Sequence, residues 1–295
     1  MAEPGTVQGD PRWSPVSKLD AEWLVGQVRA ATGVALRYEG PCPGGAVGAG
    51  YVRWPDGRPA VLTVMPGVDR QRVDAIRDML ALARAHDVPV PEYQLVVEVP
   101  GALAVLQERL PGAITEELDC PLADRMVALN ERFRGVLAGT DHAHAELFLD
   151  RSGPGFCLHE PLAGYDARTA RVLDRILEIG RAVPPRMTGD DLVHTDFHQQ
   201  NVLVDADRAI TGVIDWDGAY RGDRRFALVV LRFAVSPGDT VLAGHLDGLL
   251  ADRLSPDELR PYWAHMSLRM VDWSIRHLTA DHVTHYVELA DRMPS

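Results

Sequence analysis

Hydrophobic side chains recur at helical spacing in several stretches of this chain. In residues 69–86 the apolar side chains of Val73, Ile76, Leu80 and Ala83 return every three or four positions, which predicts an amphipathic helix. The same spacing predicts a helix over residues 19–31. Beyond residue 120 helical spacing dominates, and it predicts helices over residues 121–138, 166–182, 224–235, 240–253 and 256–279.

Strand-like stretches cluster in the N-terminal part of the chain. Residues 51–54 and 60–65 flank a turn-forming Pro-Asp-Gly-Arg segment, and residues 93–99 and 102–106 flank a Pro-Gly pair. Each arrangement predicts a β-hairpin. A Leu-Pro-Gly break follows at residue 110, so we predict an α+β protein. Its β-rich N-terminal lobe would cover residues 1–110, and its larger, mainly helical C-terminal lobe residues 111–295.

A further predicted hairpin, with strands at residues 202–204 and 210–214, carries polar residues at both outer ends. Five of them are His194, Asp196 and Asn201 before the first strand, and Asp215 and Asp217 after the second. Because an antiparallel hairpin brings its outer ends together, we expect these side chains to meet. Carboxylate and amide oxygens suit a hard divalent cation such as Mg²⁺ and can orient a hydroxyl group. The pattern therefore predicts phosphoryl-transfer chemistry.

Composition and charge exclude several classes of protein. With 46% hydrophobic and 24% charged residues, the chain is typical of a globular protein and unlike a disordered or low-complexity one. Its net charge of −12 repels phosphate backbones and anionic membranes and favours cationic small molecules. We therefore expect a small-molecule partner, with no nucleic-acid and no membrane partner.

Cysteine content and hydropathy predict a cytoplasmic location. The chain has three cysteines and no C-x-x-C pair, which favours reduced thiols. The N-terminus lacks the basic and apolar regions of a signal peptide, and the longest apolar run, residues 226–235, is too short to span a membrane. Lys18 is the only lysine, so every other strongly basic residue is an arginine.

The polar positions resemble a known catalytic pattern. The order H-x-D-x-x-x-x-N runs from His194 to Asn201, and Asp215 follows nineteen positions after Asp196, as in kinase catalytic loops and their metal-binding aspartate. The forms HTDFHQQN and IDWDGA are similar to those of the aminoglycoside phosphotransferase family, within the group of antibiotic phosphotransferases and choline kinases. The resemblance covers most of the chain. It implies a bilobal, protein-kinase-like fold that binds ATP or GTP.

The resemblance also implies a role for each site residue. Asp196 would orient the substrate hydroxyl and accept its proton, while Asn201 and Asp215 would hold Mg²⁺ at the nucleotide phosphates. Three more residues take family-typical positions: His194, which would brace the loop, and His198 and Asp217, which would face the site. Taken singly, such residues more often serve as turn or capping residues. Their combined order and spacing favour a site.

The predicted nucleotide-binding region departs from the family at one position. Gly44, Gly45 and Gly48 precede a strand, in the family order of the loop that covers the nucleotide phosphates. The next strand in the family carries a phosphate-contacting lysine, whereas this chain has Thr63. We expect Arg53, on the neighbouring strand, to supply the missing positive charge. The alternative is that Arg53 is a solvated surface residue.

Acidic and aromatic residues on the C-terminal helices suggest a substrate pocket. Asp272, Trp273 and Arg276 lie at helical spacing, and family substrate pockets are built from such helices. Acidic side chains there would suit an amine-bearing antibiotic. The alternative is a solvated helix face.

Two functions follow. The first is a small-molecule kinase that transfers the γ-phosphate of ATP or GTP to a hydroxyl of an antibiotic, aminoglycoside-type or other, giving resistance or self-protection. The alternative is a nucleotide- or ligand-binding pseudokinase without efficient phosphoryl transfer. The missing lysine favours the pseudokinase, whereas the intact Asp196, Asn201 and Asp215 oppose it.

Overall fold

A computed structural model describes residues 20–43 and 48–294 and divides them into two compact units. We call the first the mixed unit; within the described chain it covers residues 20–143 and 189–227. The second, the helical unit, covers residues 144–188 and 228–294. The lobe boundary predicted near residue 110 stays a prediction.

The mixed unit contains a five-stranded antiparallel sheet with strand order β1-β2-β3-β5-β4. Its strands are β1 (Arg37–Pro41), β2 (Gly50–Arg53), β3 (Pro59–Pro66), β4 (Tyr93–Val99) and β5 (Ala102–Glu108). Both hairpins predicted for this region are confirmed, because β2 pairs with β3 and β4 pairs with β5.

Two helices accompany this sheet. Helix α1 (Ala21–Thr32) buries Leu24 and Val28 in a cluster that also contains Leu62 and Leu106 of the sheet. Side chains alternate across a strand, so Thr63 lies on the opposite face from Leu62. Helix α2 (Arg70–Ala85) buries the predicted apolar positions, which confirms the amphipathic helix.

Smaller sheets and one further helix complete the mixed unit. Strand β7 (Asp191–His194) pairs with β10 (Ala219–Gly222), and β6 (Ala113–Ile114), β8 (Val202–Val204) and β9 (Ile210–Val213) form a second small sheet. The β8–β9 pairing confirms the third predicted hairpin.

Helix α3 (Cys120–Asn130) is shorter than predicted. The prediction of a helix to residue 138 is wrong, because a 3-10 turn over Glu131–Phe133 follows and Gly135 takes φ +65°. A left-handed residue ends the regular hydrogen-bond ladder of an α-helix.

The helical unit is built around its longest helix. Its helices are α4 (His159–Tyr165), α5 (Ala167–Ala182), α7 (Thr240–Ala251), α8 (Pro256–His277) and α9 (Ala280–Ala290), while α6 (Phe226–Phe233) begins in the last residues of the mixed unit. Helix α8 contacts α4, α5 and α9. Ser255 and Glu258 form a reciprocal cap at its start. Within the described residues, no helix has the length and apolarity needed to cross a bilayer.

Candidate active site

The predicted site lies in the mixed unit, in the segment that links β7 to the β8–β9 hairpin. Strand β7 ends at His194, a 3-10 turn spans Gln199–Asn201, and β8 begins at the next residue. The two outer ends of the hairpin meet, because Ile214 N–H donates to the carbonyl of Asn201 at 2.9 Å. The hairpin therefore brings its two polar ends together, as expected.

The Asp196 carboxylate is fixed by two donors from its own loop. Asn201 Nδ2 lies 2.9 Å from the Asp196 carbonyl oxygen and 3.2 Å from its Oδ2. His198 Nδ1 accepts from Gln200 N–H at 3.2 Å, so a neutral ring carries its proton on Nε2. That nitrogen lies 3.3 Å from the same Oδ2. Both donors hold one oxygen of the carboxylate, which sets its orientation.

His194 braces this loop through hydrogen bonds at both of its ring nitrogens. Only 1% of its surface is exposed, and its Nδ1 accepts from Asp196 N–H at 3.1 Å. The proton of the neutral ring is then on Nε2, which donates to the carbonyl of Ile214 at 2.9 Å. The imidazole packs against Trp216, with ring centroids 4.5 Å apart. His194 thereby connects the backbone of the loop to the end of β9.

Asp215 takes a strained backbone conformation at the end of β9. Its φ of 66° and ψ of 58° are left-handed, a region that aspartate enters more readily than most side chains. The next residue, Trp216, is buried and donates Nε1–H to the carbonyl of Val213 at 2.8 Å. The buried indole anchors the turn, and the Asp215 carboxylate is exposed.

A close contact joins this turn to the loop between His194 and Asn201. Thr195 Oγ1 donates to the carbonyl of Gly218 at 3.0 Å. A Cβ atom on Gly218 would lie 2.2 Å from Thr195 Oγ1, so the position requires glycine for this approach.

The donor set at the loop fits a hard cation. In the described chain, the side-chain hydrogen bonds of Asn201 all involve Nδ2, which leaves Oδ1 as a ligand atom, and the Asp215 carboxylate is exposed. Oxygen ligands of this kind are those that Mg²⁺ takes. Among the described residues, no group of three or more His, Cys, Asp or Glu side chains could hold a metal ion. Asn201 and Asp215 alone would leave the other positions of an octahedral Mg²⁺ to further oxygen ligands.

A comparison with protein families shows which family this chain matches. The profile of the phosphotransferase enzyme family, APH, matches residues 41–262, most of the chain. The chain belongs to this family. It is therefore a phosphotransferase by descent, and the loop from His194 to Asn201 lies inside the matched region.

Solved structures share the fold of this phosphotransferase. A thermostable mutant of aminoglycoside phosphotransferase APH(4)-Ia, in its apo form, is 18% identical with a TM-score of 0.63, covering 92% of this chain and 97% of that chain. APH(3'')-Id from Streptomyces rimosus, in complex with ADP and streptomycin, is 17% identical with a TM-score of 0.56, covering 85% and 98%. Macrolide 2'-phosphotransferase MphH from Brachybacterium faecium is 19% identical with a TM-score of 0.52, covering 92% and 98%. The predicted α+β, protein-kinase-like fold is confirmed.

Two residues near the phosphotransferase loop were not predicted from the sequence. Arg72, on α2, donates from Nη2 to the carbonyls of Asp217 and Ala219 at 2.8 and 2.6 Å. The phenol of Tyr93 is buried; burial raises its pKa, and the charges of Asp217 and Asp215 raise it further. Neither residue belongs to a recognisable motif. Arg72 precedes the buried stripe of α2 by one position, and only the fold places it against the loop.

A second bracing network supports β7 of the phosphotransferase. The Asp191 carboxylate accepts from Gly135 N–H at 2.7 Å and from Arg224 Nη1 at 3.1 Å. Arg224 Nη2 reaches Glu131 at 2.5 Å. These contacts tie the start of β7 to the 3-10 turn after α3.

Arg53 does not lie where the sequence prediction placed it. Its guanidinium contacts the Glu39 carboxylate at 2.7 and 3.1 Å and the carbonyl of Gly57 at 2.7 Å. Arg53 is opposite Pro59 on β3, four positions from Thr63. At about 3.3 Å per residue, this is roughly 13 Å along the strand. The expectation that Arg53 supplies a cation beside Thr63 is therefore corrected: it is a partly exposed structural residue.

The other nucleotide-binding predictions are only partly located. Gly44 and Gly45 lie outside the described residues. Gly48 has φ +83°, a conformation that favours glycine, and the carbonyl of Ala49 accepts from Cys42 N–H at 2.8 Å. The assignment of these glycines to a phosphate-covering loop stays a prediction.

The three residues predicted for a substrate pocket lie on α8 of the helical unit. Asp272 is fully buried, and its carboxylate contacts Arg276 at 2.6 and 2.8 Å and accepts from Leu158 N–H at 3.1 Å. Trp273 packs against His277 with ring centroids 4.1 Å apart. The expectation of an acid projecting toward substrate is corrected for Asp272, because its carboxylate is buried and pairs with Arg276 inside the helical unit.

Proposed function

We propose that this phosphotransferase transfers the γ-phosphoryl group of ATP or GTP to a hydroxyl group of a small molecule, an antibiotic being the first candidate. The observation that carries the proposal is the orientation of the Asp196 carboxylate by Asn201 and His198 at the meeting point of the hairpin ends. Family membership supports phosphoryl transfer as the reaction.

The chain's own residues would act mainly by positioning. In phosphoryl transfer the transition state carries charge on its oxygens, and alignment together with electrostatic stabilisation supplies most of the rate. Asp196 would orient the attacking hydroxyl and accept its proton. His194 would hold the loop backbone in place while this happens, through its bonds to Asp196 N–H and the Ile214 carbonyl.

Asn201 and Asp215 would hold magnesium. When bound, Mg²⁺ neutralises charge on the nucleotide phosphates. The exposed Asp215 carboxylate and the amide oxygen of Asn201 are its proposed protein ligands, and Asp217, also exposed, would add negative charge nearby.

The acceptor is proposed from charge and from structural neighbours. One neighbour is in complex with ADP and streptomycin, and another in complex with ADP and hygromycin B. A net charge of −12 favours cationic substrates such as aminoglycosides, and MphH shows that the fold also occurs in a macrolide phosphotransferase. Resistance or self-protection in the cytoplasm is the biological role we propose.

The proposal is tested by phosphate transfer from labelled ATP and GTP, with Mg²⁺, to a panel of hydroxylated antibiotics. We expect transfer to at least one scaffold and a 10²- to 10⁴-fold loss of rate in Asp196→Asn, because the general base is removed while its size is kept. Asp207→Asn, in the exposed turn at the far end of the same hairpin, is the matched control and should keep full activity. Equal transfer by wild type and Asp196→Asn would contradict the proposed role.

A nucleotide-binding pseudokinase is the second candidate. The absence of lysine at Thr63 favours it, since the family contact to the phosphates is missing from β3. Nucleotide binding without transfer to any acceptor in the panel would support this candidate over the kinase.

A further inference from the structure

Arg72 differs from its neighbours on α2 in how its charge is balanced. Arg70 and Arg77, on the same helix, both pair with Asp74 at 3.2 Å. Arg72 forms no ion pair within the described part of the chain, and it is partly buried. A desolvated charge that no carboxylate contacts is unfavourable, so an anion that reaches it gains more than at an exposed arginine.

The Arg72 guanidinium is held in place by hydrogen bonds from one nitrogen and by the stacking of one of its faces on an aromatic ring. Nη2 donates to the carbonyls of Asp217 and Ala219, and the guanidinium lies 3.9 Å from the ring centroid of Tyr220. Across the described residues, Nε and Nη1 have no hydrogen-bond partner. The arginine is thus fixed in place with two N–H groups unused, and a guanidinium edge matches the geometry of phosphate oxygens.

The position of Arg72 relates it to the proposed metal ligands. Its two acceptors lie in the segment that directly follows Asp215, and the buried Tyr93 phenol experiences the charges of Arg72, Asp215 and Asp217 together. These groups therefore occupy one small region of the mixed unit. An acidic region that holds a cation and receives a polyphosphate also needs positive charge from the protein, and β3 does not provide it at Thr63.

We propose that Arg72 binds a phosphate oxygen of the nucleotide, supplying from α2 the positive charge that the family lysine supplies from β3. This inference rests on the proposed function, since it requires a nucleoside triphosphate at the site. It assigns to this chain a phosphate ligand in a different element from the family's.

The test compares nucleotides that differ only in phosphate number. Calorimetric affinities for ATP, ADP and adenosine, with Mg²⁺, are measured for wild type, Arg72→Gln and Arg77→Gln. We expect Arg72→Gln to weaken ATP binding at least tenfold and ADP binding less, with adenosine affinity within twofold of wild type. Arg77→Gln, five residues further along α2 and paired with Asp74, should match wild type throughout.

Three outcomes would overturn the inference. Unchanged ATP affinity in Arg72→Gln would show that Arg72 does not contact a nucleotide phosphate, and it would leave the proposed kinase activity unaffected. An equal loss for adenosine and ATP assigns Arg72 a purely structural role. A wild-type protein that binds no nucleotide overturns both the inference and the proposed function, so the two failures are distinguishable.

A second measurement uses only the wild-type protein and does not depend on the folding of a variant. Phenylglyoxal modifies accessible guanidinium groups, and peptide mass spectrometry identifies the modified arginine. We expect ATP and ADP to protect Arg72 from modification and adenosine to leave it reactive. Protection of Arg72 by adenosine would contradict the phosphate contact. Modification of Arg72 at the same rate with and without ATP would also contradict it.

Discussion

At the residue scale, the site is defined by which atoms of the histidines carry protons. His194 and His198 each accept a backbone N–H on Nδ1, so each presents an N–H on Nε2. One of these protons fixes the end of β9 and the other fixes the Asp196 carboxylate. Both tasks use the neutral imidazole, since a protonated ring could not accept at Nδ1.

Asp215→Asn separates the proposed role of Asp215 as a metal ligand from its backbone conformation. Asparagine enters the left-handed region as readily as aspartate, so the turn should be kept while the carboxylate charge is lost. In wild type, nucleotide with Mg²⁺ at about 100 times Kd should stabilise the protein by about 2.7 kcal/mol. We expect the Mg²⁺-dependent part of this thermal shift to disappear in Asp215→Asn. A full shift without metal would favour a binding protein.

The proposed site residues were predictable as a set, but the residues that contact them were not. Residue order and spacing predicted Asp196, Asn201 and Asp215 together, because the loop and its hairpin are continuous in sequence. The positive charge was sought at Arg53, which the fold pairs with Glu39 instead. Arg72 and Asp217 are 145 positions apart in the sequence, so local sequence patterns could not predict their contact.

At the element scale, replacing glycine by alanine should have opposite effects on stability inside helix α1 and at its C-terminal cap. Gly26 lies inside the helix with open space where the Cβ atom of an alanine would lie, whereas Gly33 ends the helix at φ +76°. Gly26→Ala should raise the free energy of unfolding by about 0.5–1 kcal/mol through helix propensity. Gly33→Ala should lower it by roughly 1 kcal/mol, because alanine is strained in the left-handed region.

Urea unfolding of the two glycine variants beside wild type measures this difference. The gap between the two variants should approach about 2 kcal/mol, the sum of the two expected effects. Equal midpoints for both variants would mean that α1 does not contribute to the cooperative unfolding transition.

Elements with strong local signals were predicted, and those defined by distant partners were not. The hairpins β2–β3, β4–β5 and β8–β9 carry turn residues between apolar runs. Strands β7 and β10 are each four residues long and pair with one another across a long stretch of chain, so nothing nearby in sequence indicates them. Strand β1 contains Gly40 and Pro41, which usually break strands, and it is held by pairing with β2 across a bulge.

At the scale of the whole molecule, a buried histidine links stability to pH. His265 is 5% exposed and accepts from Phe148 N–H at 3.3 Å. Burial, assisted by the charge of Arg269, lowers the pKa of His265 from 6.5 to about 3. Below pH 6.5 the unfolded chain binds the proton and the folded chain does not. Stability should therefore be fully present above pH 6.5 and fall as the pH drops from 6.5 toward about 3.

This histidine should contribute up to about 1.4 kcal/mol of lost stability per pH unit in that window. Urea unfolding of wild type and His265→Asn between pH 4 and 7 measures it, since asparagine keeps an acceptor for Phe148 N–H without titrating. The wild-type slope should be steeper than that of the variant. Parallel curves would show that His265 is protonated in the folded state.

The threonine at position 63 has a practical consequence for chemical proteomics. Acyl-phosphate nucleotide probes label kinases by acylating a lysine amine next to the bound phosphates, and Lys18 is this chain's only lysine. Even with nucleotide bound, β3 offers such a reagent a hydroxyl and Arg72 offers a guanidinium, neither of which it acylates readily. Surveys that count kinases by amine capture at the phosphate-contacting strand would therefore miss an enzyme of this kind.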